Sequence, residues 1–76
     1  MAIRPEIYQV SGMEVRLYDF STYATLWRSD SRLGYFSPIE GGRFRTEAGF
    51  EGSRQEVMEH LVQAHRDKIA AGAVAH

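Results

Sequence analysis

The chain has 76 residues, a formal charge of −1 and no cysteine. That length suits one small domain, 1–76, and the missing thiols exclude disulfide staples and thiolate metal sites. With 43% hydrophobic and 25% charged residues, the composition is globular; it disfavours a strongly basic nucleic-acid module, an acidic disordered tail and a membrane span.

Residues 1–5 lack the apolar run of a signal peptide, with Glu6 closely following Arg4, so a cytoplasmic location is the default expectation. Residues 6–10 and 13–20 are rich in strand formers and flank Ser11-Gly12, the signal of a tight hairpin. In the second run Met13, Val15 and Leu17 alternate with Glu14, Arg16 and Tyr18, a period of two with one apolar face. Residues 23–28 could begin a short helix capped by Ser21, but Tyr23, Thr25 and Trp27 favour a third strand. Ser29-Asp30-Ser31 is a turn. Residues 33–37 form a fourth strand that Pro38 is expected to stop. Gly41-Gly42 is another turn, and residues 43–47 form a fifth strand.

Ser53 and Glu56 have the spacing of a capping box, in which each side chain bonds the other's backbone N–H. Val57, Met58, Leu61, Val62, His65 and Ile69 then recur at helical spacing over an arc of about 140°. The spacing predicts a helix over 54–71 ended by Gly72, with a frayed tail at 73–76. Strands first and one helix last give an α+β fold. The expected architecture is an antiparallel meander of four to five strands, with one C-terminal amphipathic helix packed on one face.

Catalytic patterns fail one by one. His60 and His65 are five apart, about 140° around a helix axis, and cannot share a metal ion as the histidines of H-E-x-x-H do. His65 is expected half-buried in the apolar arc, and His60 solvated, within reach of Glu56. None of the six serines lies in G-x-S-x-G, and no phosphate loop occurs. No enzyme, cofactor or metal is expected.

The order of three central strands and one helix is similar to the small DNA-binding domains of the AP2 and integrase N-terminal type. The resemblance is architectural and covers roughly residues 13–71. It implies an Arg-bearing sheet face as the DNA-binding surface, onto which Arg16, Arg43 and Arg45 are the positions that carry over.

A single helix covers a single sheet face. With Met13, Val15, Leu17, Ala24 and Leu26 beneath it, the other face is expected to gather Arg16, Tyr18, Phe20, Tyr23, Trp27, Arg43 and Arg45 as candidate partner-binding residues. Tyr, Trp and Arg are the types enriched at interface hot spots. The N-terminal strand or segment 29–42 could instead fold across this face and make it core. The leading expectation is a non-enzymatic protein-binding module: an adaptor, a homodimer, or an inhibitor of a larger machine, such as the anti-defence proteins of phage and mobile elements. Nucleic-acid binding through the same face is the alternative, with near-neutral charge against it. No membrane partner is expected.

Overall fold

A computed structural model describes residues 4–74. Six strands come first: β1 (Glu6–Val10), β2 (Met13–Asp19), β3 (Ala24–Arg28), β4 (Ser31–Ile39), β5 (Arg43–Thr46) and β6 (Glu51–Gly52). The helix α1 (Arg54–Val74) follows. Each strand pairs antiparallel with the next, so the sheet order is β1-β2-β3-β4-β5-β6. This is the expected α+β meander, with a two-residue strand added at its end.

Turn chemistry explains the meander. Ser11 and Gly12 both have positive φ, 51° and 80°. That is the type I′ pattern, whose twist matches that of the strands it joins. Between β4 and β5, Gly41 and Gly42 at φ 78° and 70° take the same left-handed region without a side-chain clash. Between β5 and β6 the buried Thr46 organises the turn: its Oγ1 accepts from the Phe50 N–H at 3.1 Å, and its own N–H donates to the Phe50 carbonyl.

The period-two pattern becomes two sheet faces. Val10, Met13, Val15, Leu17, Ala24, Leu26 and Phe36 are buried on one face, under Val57, Met58, Leu61 and Val62 of the helix. Burying a side chain of this size contributes about 1.5–3 kcal/mol. Gly34 lets the two layers close. A Cβ there would lie 2.7 Å from a Leu61 methyl and 2.6 Å from Glu47 Oε1. The helix touches β1 on one side and β4, β5 and β6 on the other, so the sheet curls round it.

The helix start is the expected capping box. Ser53 N–H donates to Glu56 Oε1 at 2.8 Å, and Glu56 N–H donates to Ser53 Oγ at 3.2 Å. The Ser53 N–H bond first, and then the nearby Ser53 hydroxyl, hold the Glu56 carboxyl below its ordinary pKa.

Several boundaries differ from expectation. Pro38 lies inside β4. The register with β3 ends at Ala24 opposite Phe36, so beyond Phe36 the strand has a neighbour on one side only and a missing N–H is tolerated. The helix runs through Gly72 to Val74, so Gly72 does not end it and residues 73 and 74 are helical. Gly72 is exposed there, where an interior glycine costs only about 1 kcal/mol against alanine. The rest of the expected frayed tail, residues 75–76, lies outside the described residues. Ile69, placed in the apolar arc, is 54% exposed because the helix has run past the buried core. No helix among the described residues is long and apolar enough to cross a membrane.

Candidate interaction surface

Neither segment that could have covered the second sheet face does so. Residues 6–10 and 31–39 are strands within the sheet, and among the described residues no element lies across that face.

Register decides which candidates meet there. Arg16 stands opposite Ile7 on β1 and opposite Trp27 on β3. Tyr18 stands opposite Thr25, which stands opposite Tyr35 on β4. Partners directly opposite share a face, so these residues form one patch. Arg16 is held inside it. Its guanidinium donates to the Ser29 carbonyl and, at 3.2 Å, to the Tyr18 hydroxyl, with Cζ 5.8 Å from the Tyr18 ring centroid. The Trp27 indole N–H donates to Thr25 Oγ1 at 3.1 Å. Thr25 is thus buried between aromatic neighbours, while Tyr35 remains 39% exposed.

The other candidates stand toward the margins: Arg45 opposite Ser37 and Arg43 opposite Ile39 alternate with the buried Thr46 and Phe36, and so keep to the open face. Phe20 and Tyr23 flank the β2–β3 turn and stack on each other, centroids 5.0 Å apart. Tyr23 stands just before β3, two residues from Thr25, and Phe20 just after β2, two residues from Tyr18. Arg45 reaches Glu51 at 2.7 Å and Arg43 reaches it at 3.9 Å. The two β5 cations therefore share one carboxylate on β6, a strand that the hydrophobic pattern does not announce. Ile7, Thr25 and Tyr35 join the patch although the sequence did not single them out. For Tyr35 a signal exists: it alternates with the buried Phe36.

Compared with family models, curated proteins and solved structures, the chain matches none.

The histidines do not assemble a site. His60 is half-buried, its imidazole stacked on Phe50, and Glu56 is engaged with Ser53 instead. The hollow beside His65 is lined by Ser31, Arg32, Lys68 and Ile69, with no carboxylate. Among the described residues, no three His, Asp or Glu side chains are grouped to hold a metal ion. On the helix side, a groove of about 320 Å³ runs between β1 and α1, walled by Tyr8, Val10, Arg54, Met58 and Glu59. The Tyr8 hydroxyl donates to Glu6 at 2.7 Å, and that bond, followed by burial, raises the phenol pKa above its ordinary value.

Proposed function

We propose that the chain is a non-catalytic protein-binding module, an adaptor or inhibitor, that docks a folded partner on the open sheet face through Arg16, Tyr18, Trp27 and Tyr35. The observation that carries this reading is the placement of these side chains. They share one face, no described element covers them, and hydrogen bonds to Ser29 and Thr25 already fix Arg16 and Trp27 in place. Side chains ordered before binding lose less entropy on docking.

The state of the cations weighs against nucleic acid as the partner. Arg16 is engaged within the patch, and Arg43 and Arg45 share one carboxylate, Glu51, which offsets one of their two charges and lowers what the face offers to phosphate.

The test is capture of a partner from lysate by immobilised wild-type chain, repeated with Trp27→Ala and Tyr18→Ala. The captured protein is then titrated against each variant. A hot-spot role predicts a loss of affinity of about tenfold or more, with thermal melting showing that the variants remain folded. Unchanged affinity in both would overturn the reading. A parallel titration with single- and double-stranded DNA and RNA at low salt should show no binding.

A further inference from the structure

The two edges of the sheet are built differently. At one edge, β6 has two residues, and the Glu51 there is tied to Arg43 and Arg45. A short, charged edge is protected against further pairing. At the other edge, β1 has five residues, with no bulge, no internal proline and no basic side chain, and Ile7 is 56% exposed. Among the described residues no segment hydrogen-bonds to its outer side.

Hairpin geometry fixes which backbone groups are free. Val10 and Met13 flank a two-residue type I′ turn and so form a hydrogen-bonded pair. Alternation makes Tyr8 with Val15, and Glu6 with Leu17, the other bonded pairs. The N–H and C=O groups of Ile7 and Gln9 therefore point away from β2. They lie symmetrically about Tyr8, with Pro5 before the strand and Ser11 after it at equal distances.

We infer that β1 pairs antiparallel with β1 of a second copy, about a two-fold axis at Tyr8, making one continuous sheet across a homodimer. The strand's own symmetry selects a second copy as the occupant. In this register Ile7 and Gln9 of each copy exchange both backbone bonds, and the whole strand is used. Glu6 faces Val10 of the second copy, so no like charges are opposed. A shift by two residues toward the N-terminus would set Gln9 against Pro5, which has no N–H to give. On the helix side the two Tyr8 rings meet beside the grooves at Met58. On the other side, Ile7 of each copy lies next to Arg16, so the two open faces become one surface. This inference concerns the edge and does not rest on the partner-binding reading of the face.

Sedimentation of the wild-type chain from about 1 to 100 µM should show the 8.7 kDa mass doubling with concentration. Gln9→Pro removes a donor that the β1–β2 ladder does not use; it should weaken the dimer by about tenfold or more while helix and sheet signals persist. Because the chain has no cysteine, single cysteines at positions 6, 8 and 10 test the register directly. Tyr8→Cys places two thiols across a non-hydrogen-bonded pair, with Cα atoms about 4.5 Å apart, and should oxidise to a covalent dimer. Glu6→Cys and Val10→Cys should not. A monomer throughout the range, a dimer indifferent to Gln9→Pro, or cross-linking at position 6 or 10 in preference to 8 would each overturn the inference. If Gln9→Pro fails to fold, the cysteine pattern decides. Trp27→Ala should leave this dimer intact, which separates its failure from failure of the face.

Discussion

The imidazole of His60 lies flat on the phenyl ring of Phe50, with centroids 4.2 Å apart and planes within 4°. The stack ties the turn between β5 and β6 to the second turn of the helix. Aromatic pairs of this kind contribute about 0.5–1.5 kcal/mol beyond their burial. His60→Ala should therefore lower the melting temperature by several degrees, and Phe50→Leu likewise. The double variant should lose less than the sum, a coupling that a double-mutant cycle of thermal melts measures directly.

Gly34 should be intolerant of any side chain. Gly34→Ala drives a methyl against Leu61, which is buried and cannot swing aside. Overpacking of this kind costs about 1–3 kcal/mol. Denaturant midpoints should fall accordingly, and adding Leu61→Val should recover part of the loss by trimming the opposing side chain.

The capping box sets a pH dependence. Its bonds lower the Glu56 pKa in the folded chain, so the unfolded chain binds the proton more readily. The contribution of Glu56 is complete above the unfolded value, about 4.3, and fades as pH falls through the lower folded value. The stability gap between wild type and Glu56→Gln should be widest near neutral pH and narrow as the pH falls below the unfolded value, as read from urea midpoints. Ser53→Ala should cost about 1 kcal/mol at neutral pH.

Thr46 is buried and its hydroxyl accepts from the Phe50 N–H. Thr46→Val keeps the shape and removes that acceptor. It should cost about 1 kcal/mol and speed amide exchange at Phe50, while amides in β2 and β3 are slowed as before.

What was legible in the sequence was what neighbouring residues decide among themselves. Met13, Val15 and Leu17 announce β2 and its buried face, because a period of two is the geometry of a strand. Ser53 and Glu56 announce the helix start, because both halves of the cap lie within one turn. Distant partners left no such mark. Glu51–Gly52 is too short for periodicity and becomes a strand only because Phe44 and Arg45 stand opposite. His60 looked solvated because the ring it packs on lies ten residues earlier, in a turn. The same holds for the candidate surface. Alternation placed Arg16, Tyr18 and Trp27 together, whereas the stacking of Phe20 on Tyr23 beside the turn, and the sharing of Glu51 by Arg43 and Arg45, depend on turn position and strand pairing.

The unbroken neighbour-to-neighbour strand order has a consequence for how the molecule assembles. Each hairpin closes over a short stretch of chain, which favours successive local zipping of the sheet. The one distant closure is the return of the helix, sealed where Arg66 donates at 2.5 Å to the carbonyl of Ser11, 55 residues away. Until that closure the buried row from Val15 to Phe36 stands open to water. The interval between zipping and docking is therefore when the chain is most prone to stick to its neighbours.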